Sequence, residues 1–257
     1  MMSNPKSKTQ NQILRIEESP PALAADAVEL FAQLTQQAAS EGTLFRVALS
    51  GGSTPRLMYG LMASETFRDE IPWDNIRFFF GDERWVPHNH RDSNYKMAKD
   101  ELFSKLNLDP AHIFPIPTEG LTPEEAAAQY EATLRKEFQV REGEIPEFGL
   151  LFLGMGEDGH TASLFPHSPA LKERKHLAAA NYVEKLSAHR ITLTAPVLTA
   201  AKRVLFLVTG EDKAAALKEV FQGKHKPEEY PSRLLREARG EVIWFVDRAA
   251  ASQLRET

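Results

Sequence analysis

Cysteine is wholly absent from the 257 residues. A disulfide framework and thiol catalysis are therefore excluded, and a reducing compartment suits the chain. No apolar run approaches the roughly 20 residues that span a bilayer, so no membrane partner is expected. The stretch Met1-Met-Ser-Asn-Pro-Lys-Ser-Lys-Thr-Gln10 holds no signal-peptide core, and a cytoplasmic location is expected. Dense lysine or arginine runs are also missing. With a net charge of −5, the chain is not expected to bind nucleic acid. His88 and His90 lack the acid-rich spacing of a metal site, so no metal is expected. Repeats, low-complexity segments and long linkers are lacking too, and no obligate protein partner is evident.

What is present is an ordinary globular composition, 42% hydrophobic and 26% charged. A chain this long buries about three-quarters of its unfolded surface, enough for a full core without staples. Short apolar runs predict strands at Ile13–Ile16, Phe45–Leu49, Trp73–Phe80, Leu150–Leu153, His189–Thr194, Arg203–Val208 and Val242–Val246, with a minor one near His112–Pro115. Between them, helical spacing or capping signals predict helices from Ala22 to about Ser40, Pro55 to about Ala63, Asn94 to about Lys105, Thr122 to about Phe138, Ala195 to Ala201, and from Lys213 to Phe221. Asp247 is expected to cap a short terminal helix. Unbroken apolar strands alternating with helices point to an α/β fold with a parallel sheet covered on both faces. Residues 1–11 are expected to form a disordered tail, and 12–257 a single domain.

In open parallel sheets, ligands bind outside the carboxyl ends of the strands. Five segments fall there. The loop Ser50-Gly-Gly-Ser-Thr-Pro55 combines glycines, hydroxyls and a proline at the first helical position, which suits an anion at a helix N-terminus or simply a tight turn. It is neither a Walker loop nor a Gly-x-Gly-x-x-Gly motif. Gly81-Asp-Glu-Arg84 follows three consecutive phenylalanines and brings Asp82, Glu83 and Arg84 to a strand end. Arg190 and Lys213 stand near two further strands and, with Arg84, supply the local cations an anionic ligand needs in an acidic protein. The fifth segment runs Gly154-Met-Gly-Glu-Asp-Gly-His160. Its Asp158 and His160 either hydrogen-bond the turn or trade protons, since histidine titrates near neutral pH.

Taken together, Ala48-Leu-Ser-Gly-Gly-Ser-Thr-Pro55, Phe80-Gly-Asp-Glu-Arg84 with Val86-Pro87 and Ser93-Asn-Tyr95, Gly154–Pro166, and Arg190-Ile-Thr-Leu-Thr194 closely resemble the 6-phosphogluconolactonases, in family order and over roughly Ile13 to Ala250. The resemblance implies a modified Rossmann-like, mostly parallel sheet with helices on both faces. It also implies no metal or organic cofactor and a phosphorylated sugar lactone of the pentose phosphate pathway as substrate. It assigns Ser50, Gly51, Gly52, Ser53 and Thr54 to the phosphate loop, Arg84 to a loop closing over substrate, and Arg190 to the phosphate. Lys213 matches a phosphate-contacting lysine best attested in the related deaminases, and Asp82 and Gly159 are counted among the substrate-binding residues. His160 matches the general base, with Asp158 as its polar partner. The deaminases on this fold carry an asparagine–glutamate pair before the proline of the turn. Here those positions are Leu164 and Phe165, which removes a proton-moving group that ring-opening isomerisation needs.

Overall fold

The alternation of apolar runs and amphipathic stretches builds two sheets in the computed structural model, which describes residues 11–255. In chain order the strands are β1 (Gln12–Glu17), β2 (Phe45–Leu49), β3 (Ile76–Phe80), β4 (Asp82–Arg84), β5 (Leu150–Leu153), β6 (Ala178–Val183), β7 (Ala188–Leu193), β8 (Arg203–Val208) and β9 (Glu241–Asp247). The helices are α1 (Pro20–Ser40), α2 (Ser53–Met62), α3 (Asn94–Glu101), α4 (Pro123–Phe138), α5 (Ala195–Ala200) and α6 (Ala214–Gln222). Six strands pair in parallel in the order β1-β9-β8-β5-β2-β3. All four residues of the central β5 are buried, so helices and loops cover the sheet on both faces.

Local chemistry sets the helix ends. The Ser19 hydroxyl accepts the Ala22 N–H, and prolines fill the first two positions of α1, where no amide is needed. At α4, Thr122 and Glu125 form a reciprocal capping box. Aromatic residues then weld the layers together. Phe79 packs against Phe114, Phe138 and Phe148, and Phe206 stacks on Trp244 at 3.7 Å. Fully burying such a side chain stabilises the fold by roughly 2–3 kcal/mol.

A second, smaller sheet supplies the part of this mostly parallel fold that is not parallel. It is antiparallel, in the order β4-β7-β6. Gly81 makes the crossing: its N–H donates to the Leu49 carbonyl of the large sheet, and its carbonyl accepts from Leu193 N–H of β7. Asp82-Glu83-Arg84, expected to be a loop, is thus a strand. The segment His189–Thr194, expected in the main sheet, is β7 of the small one. β6 has no counterpart among the expected strands, because Ala178-Ala-Ala-Asn carries too little apolar bulk to read as one.

Other corrections are local. Trp73–Asn75 form a 3-10 turn ahead of β3, and α3 stops at Glu101 before a 3-10 turn at Phe103–Lys105. Near His112–Pro115 the chain makes only an isolated bridge from Ile113 to Phe78. Asp247 does accept the Ala250 N–H at 2.7 Å, but the chain beyond it turns without forming a helix. The expected disordered tail lies outside the described residues except for Asn11, whose carbonyl accepts from Val242 N–H. Among the described residues, no helix is long and apolar enough to cross a membrane.

Candidate active site

The carboxyl ends of β2, β5 and β8 open on one cleft of about 430 Å³, closed on another side by β4 and β7. Ser50, Gly51, Gly52, Ser53, Thr54, Asp82, Arg84, His160, Arg190 and Lys213 all line it. Segments spread over more than half the sequence therefore converge on one volume.

The loop after β2 is held from below. Tyr59, fully buried, donates its hydroxyl to the Ser50 carbonyl at 2.8 Å and accepts the Ser50 N–H at 3.0 Å. Burial pushes its phenol above the ordinary range, so it stays protonated and able to do both. Beyond this clamp the chain turns into α2 at Gly52, leaving the first amides of the helix facing the cleft, a favourable place for an anion. Gly51 is required by proximity. A Cβ there would stand 1.9 Å from Asn94 Oδ1, and Asn94 is itself tied by Nδ2 to the Asp82 carbonyl at 2.9 Å. Gly51→Ala is therefore expected to displace the loop and weaken binding of a phosphorylated ligand about tenfold. Calorimetric titration would measure this, and adding Asn94→Ala should recover part of the loss.

Buried polar contacts fix β4. The carboxylate of Glu83, 1% exposed, accepts from the amides of Arg84, Asn94 and Tyr95 and from the Ser93 hydroxyl. Burial pushes its carboxyl up and these four bonds pull it back. Asp82 accepts from Ser163 Oγ at 2.5 Å and from Asn94 Nδ2 at 3.3 Å, which ties β4 to the loop after β5.

Antiparallel register places Arg84 directly opposite Arg190. Like charges facing each other across a ladder are unfavourable unless an anion lies between them. Burial, then the nearby Arg84, pull the Arg190 guanidinium below its ordinary range. Lys213 reaches the same cleft while paired with Asp212 at 2.7 Å. With Lys185, four cations line the cleft against the single carboxylate of Asp82. The site is built for negative charge.

The turn after β5 folds around His160. Gly156 N–H donates to the His160 carbonyl, and Gly159 N–H to the Gly156 carbonyl, both at 2.9 Å. A Cβ on Gly156 would lie 2.0 Å from His160 Nδ1, so only glycine lets the imidazole rest against this backbone. Asp158 Oδ1 accepts from His160 Nδ1 at 2.5 Å and from the His160 amide at 3.1 Å. Its other oxygen pairs with Lys185. Burial alone would raise the Asp158 carboxyl, but the bonds to His160 and Lys185 outweigh it and hold the group well below the carboxylate range. On its other side His160 stacks on Phe165, with ring centroids 4.0 Å apart.

Two of the expected residues are not on the cleft. Asp158 lines a neighbouring cavity beyond Lys185 and Phe165. Gly159 has φ +72 and gives its carbonyl to both the amide and the hydroxyl of Ser232, so its backbone is engaged inside the protein. Conversely, Lys185, Ser163 and Thr209 line the cleft without having been expected there. Ser163 belongs to the Gly154–Pro166 block, but Lys185 sits in a hairpin turn with no motif.

The family described as glucosamine-6-phosphate isomerases/6-phosphogluconolactonase matches residues 18–244. A 6-phosphogluconolactonase of Synechocystis is 42% identical over 209 residues, 81% of this chain and 84% of that one. The structure of 6-phosphogluconolactonase from Trypanosoma cruzi superposes with a TM-score of 0.84 at 28% identity, over 100% of this chain and 99% of that one. A monomeric glucosamine-6-phosphate deaminase shares the fold, with a TM-score of 0.79 at 18% identity, over 93% of this chain and 99% of that one. The chain belongs to the glucosamine-6-phosphate isomerase/6-phosphogluconolactonase family.

Proposed function

We propose that the chain hydrolyses 6-phospho-D-glucono-1,5-lactone to 6-phospho-D-gluconate in the pentose phosphate pathway, in the cytoplasm, with His160 as general base. The observation that carries this reading is one cleft holding an oriented imidazole and a set of cations matched to a phosphate. With Nδ1–H donated to the ionised Asp158, the lone pair of His160 sits on Nε2. Nε2 takes a proton from water as the oxygen attacks C1, giving a tetrahedral oxyanion and an imidazolium. Collapse breaks the bond from C1 to the ring oxygen, and the imidazolium returns the proton to that oxygen as it leaves. A lactone is already an activated ester, so no covalent nucleophile is required.

The roles divide by position. The Ser50–Thr54 loop, Arg190 and Lys213 hold the phosphate. The amides of Gly156 and Gly159 are engaged within the turn, so we assign the developing oxyanion to Arg84. Both oxygens of Asp158 are occupied by His160 and Lys185, which favours an orienting role over contact with substrate hydroxyls. Phe165 packs on the imidazole in place of the acid that isomerisation requires.

The test is acid release from the lactone, corrected for spontaneous hydrolysis, with and without the 6-phosphate. Rapid turnover that depends on the phosphate is expected. Hydrolysis no faster than background, or rapid ammonia release from glucosamine 6-phosphate, would overturn the reading.

A further inference from the structure

The turn joining β6 to β7, Glu184–Leu186, is closed by Ser187 in the left-handed region at φ +46. It belongs to the small sheet, yet it reaches over the carboxyl edge of the large one and lines the cleft with Lys185 and Leu186. Lys185 makes contacts that an ordinary surface lysine does not combine. Its Nζ pairs with Asp158 Oδ2 and lies 4.8 Å from the centroid of the Phe165 ring. His160 pairs with the other oxygen of the same carboxylate and stacks on the same ring. Ammonium and imidazole thus share one carboxylate and one aromatic ring.

We propose that Lys185 is a positioning residue for hydrolysis: it anchors Asp158 by Oδ2, keeps Oδ1 on His160 Nδ1, and offsets the charge of the carboxylate beside the base. The inference rests on His160 acting as proposed above. A carboxylate alone on Nδ1 favours the imidazolium, which starts the reaction in the wrong protonation state and releases its proton reluctantly in the second half. A cation on the other oxygen shares that carboxylate and weakens its hold on the proton. Removing the cation returns the carboxylate wholly to the imidazole.

The other charged groups around the pair are Arg84 and Asp82 on β4, Arg190 on β7 and Lys213 after β8, across the cleft, with Glu184 and His167 on the neighbouring cavity that Asp158 lines. Glu157, next to Asp158, turns toward Lys213 at 3.8 Å. Asp158 itself is held ionised far below the working range, so an acid limb in the rate profile reports the imidazole.

Lys185→Met keeps an apolar stem over Phe165 and removes the charge, whereas Lys185→Arg keeps the charge. For Lys185→Met, kcat is expected to fall about tenfold, and the acid limb of its pH profile to move to higher pH. KM should stay within about twofold of wild type. Lys185→Arg should restore the limb. Nitrogen NMR of the His160 ring in the ligand-free protein should show the same displacement, independent of turnover. An unmoved limb and ring titration, or a loss confined to KM, would overturn the proposal, as would failure of arginine to restore the limb. If the wild-type protein does not hydrolyse the lactone, the proposed function falls. The ring titration then still decides whether Lys185 governs the Asp158–His160 pair.

Discussion

Replacing His160 by alanine is expected to lower kcat for the phosphorylated lactone by about a thousandfold, the range of a positioned general base. KM should change little, because the ring faces the reacting carbonyl while the phosphate is held elsewhere. The cost in stability is expected to be small. The His160 side chain is 26% exposed, and its loss removes one stacking contact with Phe165 and one hydrogen bond to Asp158. The carboxylate left behind keeps Lys185 and the amide of residue 160, so no buried charge is stranded. A stacked aromatic pair is worth about 1 kcal/mol, which corresponds to about 3 °C in melting temperature at this chain length. Measuring kcat and thermal unfolding on the same variant separates the two roles. A fall of 10 °C or more would mark His160 as structural. Retention of wild-type turnover would show that water is activated by another group. Because the proton is carried by Nε2, wild-type kcat should also decline as the solution becomes more acidic, and the alanine variant should lack that limb.

The parts of this protein that could be read from residues are those where local chemistry and final environment agree. β2 and β8 are mainly apolar runs that become largely buried parallel strands, and their ends match the structure residue for residue. α4 announces itself through Thr122, Pro123 and Glu125, each of which serves the helix start. β4 was illegible for the opposite reason. Asp82-Glu83-Arg84 has the composition of a solvated loop, and its burial depends on hydrogen-bond donors from Ser93–Tyr95 and Ser163, outside the segment itself. β6 hides because alanine carries little signal of either period. The site follows the same rule. Glycine turns with hydroxyl, acid or imidazole side chains mark two of its walls. The pairing of Arg84 with Arg190 and the reach of Lys185 to Asp158 are properties of strand register and a hairpin turn, which one sequence does not encode locally.

That arginine pair carries the second large prediction. Arg190→Ala is expected to raise KM for the phosphorylated lactone about a hundredfold, equivalent to about 2.7 kcal/mol and within the range of charge-assisted hydrogen bonds. The non-phosphorylated lactone should be hydrolysed at the wild-type rate, since its transition state never engages Arg190. Stability of the ligand-free variant should not fall. The wild-type protein holds two guanidinium groups in direct cross-strand register, one of them pulled below the ordinary arginine range by burial and by the other. Removing Arg190 relieves both costs while the ladder between β4 and β7 remains. The two effects give opposite signs in one experiment. Inorganic phosphate or 6-phosphogluconate should raise the melting temperature of the wild-type protein and leave that of Arg190→Ala nearly unmoved, although the variant without ligand melts no lower. Equal loss on both lactones would show that Arg190 serves the reaction centre rather than the phosphate. A marked drop in ligand-free stability would show that its charge is already compensated within the protein.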